Sequence, residues 1–378
     1  MNISNKHHHL YPQLDVPPRL LLGPGPSNAH PRVLQAIGMR QLSHLDPAFT
    51  ALMDEIQELL RYTWQTDNEY TISISGTGSA AMETAVANTV EPGDVILIGV
   101  IGYFGERLVE MAKRYGGDVR VIEKAWGDVF TPDDIRAGLE KHQPAVLMLV
   151  HAETSTGALQ PLEGIGDLCH QHNCLLLTDC VTSLGAAPLL VDEWGIDVAY
   201  SCSQKGLGCP PGASPLTYGP RALAKLDKRQ QGTPNWYYDL TLLNNYWHGT
   251  PRSYHHTMSS NMNYALREGL RLVAEEGLQA RWSRHQATAQ LLWDGLADIG
   301  LSCHVSDPAL RIPSLTTVRV PDGVDAKAVT QRLLHDYNIE IAGGFSKLAG
   351  KVWRVGLMGY NSRPENVLTL LAALQAIL

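Results

Sequence analysis

Residues 174–206 read CLLLTDCVTSLGAAPLLVDEWGIDVAYSCSQKG, and they decide how the rest of the sequence is interpreted. Two short runs in this stretch, Cys174–Thr178 and Val198–Cys202, are almost continuously apolar or β-branched, as in strands covered on both faces of a sheet. A titratable side chain follows each run: Asp179 comes directly after the first and Lys205 shortly after the second. The stretch therefore predicts two buried strands with polar groups beyond their carboxyl ends.

Similar apolar runs recur earlier in the sequence, and amphipathic segments separate them. Strands that alternate with helices form right-handed βαβ units and a mainly parallel sheet. We therefore expect an α/β domain in which ligands bind beyond the carboxyl ends of the strands. The predicted strands are Thr71–Ser75, Val95–Val100, Ala145–Val150, Cys174–Thr178 and Val198–Cys202, and the predicted helices are Ala80–Val90, Gly105–Tyr115, Pro132–His142 and Pro161–His172.

The last third of the sequence has a different pattern. A long helical stretch, roughly Asn263 to Ile299, leads into a shorter α+β region. We expect an irregular arm at residues 1–17, a large domain at 18–277 and a smaller C-terminal domain at 278–378. The smaller domain is predicted to contain a strand at Leu315–Val320, a helix from Ala326, a strand near Glu340 and a closing helix at Pro364–Ile377.

Composition limits the class of protein. The 378 residues are 44% hydrophobic and carry a net charge of -8, which is typical of an ordinary globular protein. An acidic chain lacks the overall basic charge that a general nucleic-acid binder needs. No stretch reaches the ~20 apolar residues that span a bilayer. We therefore expect neither a nucleic-acid partner nor a membrane partner, and we expect a cytoplasmic location.

The cysteine and histidine residues show no metal-binding pattern. The six cysteines contain no C-x-x-C pair, and we expect reduced, mostly buried thiols. No H-E-x-x-H motif occurs, and the histidine pairs His170/His172 and His255/His256 lack a third ligand at a suitable spacing. We interpret His7–His9 as part of a polar leader and predict no metal site.

The segment Ser75-Gly76-Thr77-Gly78-Ser79 lies between a predicted strand and a predicted helix. Its glycines allow backbone amides to turn toward an anion, its hydroxyls add donors, and the helix N-terminus favours negative charge. It is not a G-x-G-x-x-G motif, because Ala81 occupies the position of the third glycine. By itself the segment fits a phosphate cradle and a plain strand–helix turn equally well.

Lys205 lies between a buried strand and the Gly/Pro-rich loop Gly208–Gly212. A lysine in this setting can lose part of its hydration and act as an amine nucleophile. A surface lysine is the simpler interpretation of Lys205 alone. An S-x-x-K serine-hydrolase motif is excluded, because Cys202 stands three residues before the lysine.

Asp179 ends a buried strand, where a carboxylate is costly unless a partner compensates its charge. A protonated ring nitrogen is such a partner, and pyridoxal phosphate (PLP) uses its pyridinium ring as an electron sink. A helix cap or a structural salt bridge explains an isolated aspartate equally well. Together, the loop at 75–79, Asp179 and Lys205 follow one another in the order found in fold type I PLP enzymes, with Lys205 lying 26 residues after Asp179.

The sequence resembles the class V aminotransferases from Pro18 onward, and most closely those members that use L-alanine or L-serine with glyoxylate. The resemblance implies the PLP-dependent fold type I, with a large mainly parallel-sheet domain and a smaller C-terminal α+β domain. It also implies transamination that yields glycine and either pyruvate or hydroxypyruvate. The segments that carry the resemblance are Leu21–Asn28, Glu153–Gly157, Tyr200–Lys205, Tyr254–Thr257 and Trp353–Leu357.

The resemblance implies a role for each matching residue of the catalytic centre. Lys205 matches the lysine that forms a Schiff base with PLP and then moves the substrate proton. Asp179 matches the aspartate at the pyridine nitrogen. Thr77, Gly78 and Ser79 match the phosphate loop, although animal relatives carry a bulkier residue at the position of Ser79.

Further cofactor contacts follow from the same resemblance. Thr154 matches a hydroxyl residue near a cofactor oxygen, and Gln204 matches a phosphate contact. An aromatic ring normally stacks on the pyridine, and the register of Gly102–Gly105 places Phe104 there, with Tyr103 as the alternative. Animal relatives carry a Trp at this position. Both aromatic residues also fit a role in the core.

The segment Tyr254-His255-His256-Thr257 implies a second subunit. Tyr254 and Thr257 match residues that reach the cofactor phosphate of the neighbouring subunit in the family. The resemblance therefore implies a homodimer with shared active sites. Without the resemblance, the segment is a polar loop before the long helix.

Arg354 is the predicted anchor for the substrate carboxylate. A guanidinium binds a carboxylate through two parallel hydrogen bonds and stays charged at any working pH. Arg354 lies in the strand-like run Val352–Leu357, where it requires an anion, and an internal ion pair is the alternative. Gly25, between Pro24 and Pro26, is predicted to let the backbone approach the substrate.

Three other functions fit the same fold. A phosphoserine or phosphonate transaminase remains an alternative. Cysteine desulfurases usually carry a histidine before the lysine and a mobile cysteine in the small domain, whereas Gln204 precedes Lys205 and Cys303 is the sole cysteine after Cys209. A catalytically silent binding protein has no chemical need for Lys205, Asp179 and Arg354 together.

Overall fold

The structure is a computed structural model that describes residues 11–229 and 231–378. The histidine triplet His7–His9 lies outside the described residues. The helices are α1 (Pro31–Ile37), α2 (Pro47–Trp64), α3 (Gly78–Thr89), α4 (Tyr103–Arg114), α5 (Pro132–His142), α6 (Ile165–Gln171), α7 (Pro220–Leu226), α8 (Leu240–Trp247), α9 (Ser260–Glu276), α10 (Leu278–Asp298), α11 (Ala326–Asp336) and α12 (Pro364–Ile377).

The strands are mostly short, and single turns of 3-10 helix occur at Trp236–Tyr238, Pro308–Leu310, Ser346–Leu348 and Gly359–Asn361. In chain order the strands are β1 (Leu20–Leu21), β2 (Tyr70–Gly76), β3 (Val95–Val100), β4 (Asp118–Glu123), β5 (Val146–Val150), β6 (Ala152–Glu153), β7 (Ala158–Leu159), β8 (Leu175–Asp179), β9 (Val198–Tyr200), β10 (Gly212–Tyr218), β11 (Leu315–Arg319), β12 (Ile339–Glu340), β13 (Ala342–Gly343) and β14 (Val352–Gly356).

The central sheet confirms the predicted α/β architecture. Within the described residues it has seven strands in the order β2-β10-β9-β8-β5-β3-β4. All neighbouring pairs are parallel except the two that involve β10. The sequence of β10, GASPLTY, contains Gly and Pro, which are poor strand formers, so its pattern did not predict a strand. The edge strand β4 was also missed, because exposed polar residues interrupt its apolar pattern.

The five predicted strands are present, with boundaries that shift by at most two residues. One shift matters for chemistry: Asp179 is the last residue of β8, not the first residue after it. β9 ends at Tyr200, so residues 201–205 form a loop that leads to Lys205. The polar groups nevertheless lie at the carboxyl ends of neighbouring parallel strands, as the sequence predicts.

The predicted helices differ from the structure at two glycines. The stretch from Asn263 to Ile299 is two helices, α9 and α10, because Gly277 adopts φ +81° between them. The segment predicted as a helix from Pro161 becomes helical only at Ile165, after Gly164 with φ +75°. A left-handed glycine ends or delays a helix, and periodicity alone does not reveal it.

The C-terminal region has its own sheet and core, as predicted. Its sheet has the order β11-β14-β13, and α10, α11 and α12 contribute to the same apolar cluster. β1 pairs in parallel with β12, so Leu22 near the N-terminus packs into this C-terminal core. The segment that precedes α1 therefore packs with the C-terminal core, through a separate two-stranded sheet of β1 and β12.

Candidate active site

Two polar side chains meet at the carboxyl end of the central sheet. β8 and β9 pair in parallel, and their register places Asp179 opposite Tyr200. The hydroxyl of Tyr200 donates to Oδ2 of Asp179 at 2.7 Å, and the amide of Val181 donates to Oδ1 at 2.9 Å. Both carboxylate oxygens are thus fixed in direction by neighbouring strand and loop residues.

The positive charges of Arg107 and Lys205 act on the carboxyl group of Asp179 only without direct contact. Its side chain is buried, and burial raises its pKa to about 6, although the hydrogen bonds from Tyr200 and Val181 act in the opposite direction. No cationic side chain among residues 11–229 and 231–378 forms an ion pair with it. A ligand with a protonated ring nitrogen would supply the missing charge.

Lys205 faces the same region from the loop after β9. Its Nζ donates to the carbonyl oxygen of Pro24, and burial lowers the pKa of its amine. Gly25 has φ +96°, and a Cβ added there would lie 2.6 Å from Cδ and 2.8 Å from Nζ of Lys205. The predicted close approach at Gly25 is therefore an approach to the lysine, and any side chain at position 25 would displace the amine.

The N-terminus of α3 lies against the loop that carries Lys205. α3 begins at Gly78, and a Cβ added at Gly78 would lie 3.1 Å from the Cβ of Cys202. The N-cap residue Thr77 makes no side-chain capping bond, and the amide of Ala80 donates to its carbonyl oxygen at 2.8 Å, so the amides of Gly78 and Ser79 are the ones left for an anion. The structure thus places Thr77, Gly78 and Ser79 beside the lysine loop, where an anion would meet several N–H donors.

Gln204 adds a polar group to this arrangement. Its Oε1 is buried and has no hydrogen-bond partner among the described residues. A buried amide oxygen without a partner is uncommon and calls for a ligand or an ordered water. A phosphate contact of Gln204 stays a prediction, and the unpartnered amide oxygen beside Lys205 shows that the side chain has unused hydrogen-bonding capacity there.

Phe104 and Tyr103 form the first turn of α4, and a buried carboxylate holds this turn. Glu153 accepts hydrogen bonds from the amides of Phe104, at 3.2 Å, and Gly105, at 3.4 Å. A Cβ at Gly102 would lie 2.3 Å from Cγ of Glu153, so only glycine fits beside it. Burial raises the pKa of Glu153. This carboxylate therefore holds the backbone of the turn that carries the two candidate stacking residues, Tyr103 and Phe104.

Arg107 links the stacking residues to the phosphate loop. Its guanidinium lies 4.8 Å from the ring centroid of Phe104 and 5.3 Å from that of Tyr103. Its Nη1 also donates to Oγ of Ser79 at 3.2 Å. The sequence analysis assigned no role to Arg107. The signal that could have identified it is its position three residues after Phe104, because residues three apart on a helix lie on the same face.

Thr154 lies between the two domains. Its hydroxyl shares a 2.5 Å hydrogen bond with the hydroxyl of Thr182, and its carbonyl oxygen lies 3.4 Å from Nη1 of Arg354. The residue thus connects the large-domain loop after β6 with the strand that carries Arg354. A role for its hydroxyl at a cofactor oxygen stays a prediction.

Arg354, in the middle strand of the smaller sheet, is only 2% exposed. Its Nε donates to the carbonyl oxygen of Gly343 at 2.9 Å, and burial lowers its pKa to about 10. Among the described residues, no carboxylate pairs with it. The internal ion pair considered from the sequence is therefore not seen, and a substrate carboxylate fits this cation.

The segment from Tyr254 to Thr257 is exposed at its two ends and buried at its two central residues. Tyr254 is 59% exposed and Thr257 is exposed, with their hydroxyls 3.4 Å apart. Between them, His255 and His256 are buried, and Nε2 of His256 lies 2.6 Å from Oγ of Ser75. The segment is anchored to its own phosphate loop while Tyr254 and Thr257 face outward from the chain.

Tyr200 and Glu153 belong to the segments that carry the family resemblance, but neither was predicted to have a role of its own. Tyr200 orients Asp179, and the parallel pairing of two consecutive predicted strands was the signal for it. Glu153 lies next to Thr154 in the same segment. Its partners are backbone amides about 50 residues away, so no local pattern identified it.

Two findings concern other kinds of site. Across residues 11–229 and 231–378, no three His, Cys, Asp or Glu side chains group closely enough to hold a metal ion. In the same residues, no helix has the length and apolar character needed to cross a membrane. The six cysteines are all free thiols, and Cys303 is the one that is only partly buried.

The fold and the polar groups at the strand ends define a transferase class. The family profile described as Aminotransferase class-V matches residues 21–368. This chain therefore belongs to the class V aminotransferase family, and its fold is the PLP-dependent transferase fold type I.

Particular members of this family are similar over almost the whole chain. The alanine–glyoxylate aminotransferase of Callithrix jacchus is 45% identical over 97% of this chain and 89% of its own length. The (S)-ureidoglycine–glyoxylate transaminase of Bacillus subtilis is 41% identical, with coverage of 97% and 92%. The crystal structure of an alanine–glyoxylate aminotransferase from Nostoc sp. matches with a TM-score of 0.97, at 61% identity and with 100% of both chains covered.

Proposed function

We propose that this aminotransferase uses PLP to transfer the amino group of L-alanine or L-serine to glyoxylate. The products would be glycine and either pyruvate or hydroxypyruvate. The observation that carries the proposal is that a buried carboxyl group without an ion-pair partner and a buried lysine amine lie together at the strand ends. The carboxyl of Asp179 has no ion-pair partner among the described residues, and the amine of Lys205 beside it has a lowered pKa.

The residues present fit PLP in each of its parts. Asp179 would hold the protonated pyridine nitrogen, and the N-terminus of α3 with Gln204 would hold the phosphate. Phe104, or Tyr103 in its place, would cover the pyridine ring, and Glu153 holds the turn that carries both residues. When bound, PLP supplies an electron sink for the charge that develops at the substrate α-carbon.

The chain's own groups account for binding and proton transfer. Arg354 binds the substrate carboxylate through its free N–H groups, which orients the α-carbon. Lys205 accepts the α-proton through Nζ and returns it, and its lowered pKa increases the fraction of neutral amine at neutral pH. Asp179 stays ionised beside the cationic ring nitrogen that it holds.

The choice of substrates has two sources of support. Both curated relatives described above are named for glyoxylate, whereas their amino donors differ. Glyoxylate is therefore better supported than either donor, and an assay should include (S)-ureidoglycine beside L-alanine and L-serine. Among the described residues, Arg354 is a buried arginine that forms no ion pair, whereas the buried Arg281 pairs with Glu276, so one site suits one substrate carboxylate.

A cysteine desulfurase is not supported. Such an enzyme needs a reactive thiolate in the smaller domain. Cys303 occupies a short bridge to Val318, and burial raises the pKa of its thiol. A raised pKa keeps the sulfur protonated, so Cys303 lacks the activation that this chemistry requires.

The dimer is part of the proposal. Tyr254 and Thr257 face outward although the family uses the matching residues at a cofactor phosphate, which is what a shared site requires. Light scattering should give twice the mass of one chain. Mixing inactive Lys205→Ala chains with weakened Tyr254→Ala chains should restore activity, because each mixed dimer keeps one intact site. No restoration after chain exchange would argue for sites built from one chain.

An absorbance spectrum tests the cofactor and the reaction together. The purified protein should show the band of lysine-bound PLP, lose it with L-alanine or L-serine, and recover it with glyoxylate. Lys205→Ala should remove the band, and Lys141→Ala, which changes an exposed lysine on α5, should leave it intact. A band that persists in Lys205→Ala, or no response to any of the donors, would overturn the proposal.

A further inference from the structure

An aromatic ring covers the face of the buried guanidinium. Phe345 follows β13, and its ring centroid lies 3.9 Å from Cζ of Arg354. A guanidinium is planar, so a ring on its face leaves the N–H groups at its edge free for a carboxylate. Phe345 is also 41% exposed, so its ring reaches the protein surface beside the buried guanidinium. The ring therefore forms part of the mouth of the site.

The backbone around Phe345 holds this ring in place. The amide of Leu348 donates to the carbonyl oxygen of Phe345 at 2.8 Å, and the amide of Gly344 donates to Val352 at 3.0 Å. A Cβ at Gly344 would lie 2.1 Å from the carbonyl oxygen of Leu348, so the turn closes only with glycine there. Phe345 is thus presented by a hydrogen-bonded turn, and its position over Arg354 is set in advance.

The ring also reaches the large domain. Its centroid lies 5.3 Å from that of Tyr103, which in turn lies 5.6 Å from that of Phe104. Two residues after Phe345, Nζ of Lys347 lies 3.4 Å from a carboxylate oxygen of Glu106 on α4. A continuous aromatic surface, formed by Phe345, Tyr103 and Phe104, therefore runs from the carboxylate anchor to the candidate stacking ring.

We propose that Phe345, supported by Tyr103, is the residue that restricts the amino donor to small side chains. This inference rests on the proposed function, because it assumes that Arg354 holds the donor carboxylate. The donor's side chain leaves the same α-carbon as that carboxylate, so it must lie close to whatever surrounds Arg354. A methyl or hydroxymethyl group fits beside the aromatic surface, and a branched chain meets the ring of Phe345.

The ring has a second effect on the same anchor. It excludes water from one face of the guanidinium, and an ion pair is stronger where water is excluded. Removing the ring should therefore weaken the binding of every carboxylate and, at the same time, relax the discrimination between small and large donors. A residue with a merely structural role would lower all rates by one factor and leave the ratios between donors unchanged.

Kinetics with a series of donors test this inference in the holoenzyme. Phe345→Ala should raise KM for L-alanine and raise the kcat/KM ratio of L-leucine to L-alanine by at least about tenfold, since one methylene in a pocket is worth roughly 10–200-fold. Phe345→Leu, which keeps most of the bulk, should retain the discrimination. Leu368→Ala is the matched control, because Leu368 is an exposed apolar residue of the same domain on α12.

Ligand-observed NMR titration with propionate and 4-methylpentanoate provides a readout that needs no turnover. The wild type should prefer propionate, and Phe345→Ala should lose that preference. Unchanged preferences in both measurements would overturn the role of Phe345, even with intact alanine–glyoxylate turnover. Loss of the preference in Phe345→Ala, in a protein that fails to transaminate alanine, would support the role and would overturn the proposed reaction instead.

Discussion

Two arginines are buried to nearly the same extent, but their surroundings differ. Arg281 on α10 is 5% exposed and Arg354 on β14 is 2% exposed. Arg281 donates to the carbonyl oxygens of Gly185, at 2.8 Å, and Gly206, at 2.6 Å, and pairs with Glu276 at 2.7 Å. The chain itself therefore satisfies Arg281 completely, with two acceptors and one anion.

The surroundings of Arg354 are incomplete by comparison. It has one good acceptor, the carbonyl oxygen of Gly343, a distant one at Thr154, and the ring of Phe345 on its face. The missing component is an anion. Burial alone therefore does not identify a functional cation, whereas burial together with a missing counter-charge does.

The region around Arg281 should control stability. Arg281→Met removes the donor from two buried carbonyl groups and one partner from Glu276. The free energy of unfolding should fall by roughly 3–5 kcal/mol, as measured by urea denaturation. Arg271→Met is the control, because the side chain of Arg271 on α9 is itself exposed and ion pairs made by an exposed arginine are worth about 0–1 kcal/mol. An equal fall in the free energy of unfolding for Arg281→Met and Arg271→Met would contradict a structural role for Arg281.

The region around Arg354 should control activity. Arg354→Met should lower kcat/KM for the amino donor by roughly 10²–10³-fold, because the substrate carboxylate loses its buried partner. Stability should change by less than about 1 kcal/mol, because no buried anion in the chain is left unpaired. Arg319→Met on β11 changes an exposed arginine of the same sheet and serves as the control. A large loss of stability with normal kinetics in Arg354→Met would show that Arg354 stabilises the fold and does not bind the substrate.

Asp179 extends the comparison to a buried anion. Its folded pKa of about 6 exceeds its ordinary value of 3.8, so between these pH values the folded protein binds more protons than the unfolded chain. Cofactor-free protein should therefore lose stability as pH rises from 4 to 6, by up to roughly 3 kcal/mol.

Denaturation of cofactor-free Asp179→Asn at pH 4, 5 and 7.5 checks this expectation. The variant should lack the part of the pH dependence that Asp179 contributes. Asp298→Asn changes an exposed aspartate at the end of α10 and should leave the profile as it is in the wild type. Identical profiles for Asp179→Asn and the wild type would mean that Asp179 is compensated from within the chain, as Arg281 is.

The smallest expected effect is that of Arg354→Lys, which tests whether the substrate carboxylate needs the shape of the guanidinium or only its positive charge. Arg354→Lys keeps the positive charge but replaces a planar fork with a compact ammonium group. KM for L-alanine should rise by roughly tenfold, which corresponds to about 1.4 kcal/mol, and kcat should fall less. Steady-state kinetics measure both parameters. A KM equal to that of the wild type would show that the anchor needs charge alone.

The sequence was sufficient to predict the strand ends and the side chains at them. Asp179 follows a buried apolar run, and Arg354 lies inside one, so each polar residue contrasts with its local pattern. Parallel strands bring their carboxyl ends to one edge, and this rule alone predicts that Lys205 lies near Asp179. The alternation of short apolar runs thus contained most of the information about the site.

Other features depend on contacts that are distant in the sequence. Glu153 accepts from amides of α4, and Phe345 lies over Arg354 because a turn and a neighbouring strand bring them together. β10 breaks the usual strand pattern with Gly and Pro, and its two neighbours in the sheet stabilise it. Such residues have ordinary local surroundings, so only the folded chain distinguishes them.

The glycine beside the lysine has a consequence for reading genetic variation. A Cβ at position 25 would fall on the side chain of Lys205, although Gly25 lies in a short turn far from the lysine in sequence. A missense change at this codon should lower turnover, because the added side chain displaces the amine of Lys205, and it should also strain the turn, because Gly25 has φ +96°. Turnover and protein abundance therefore need to be measured together before such a variant is classified.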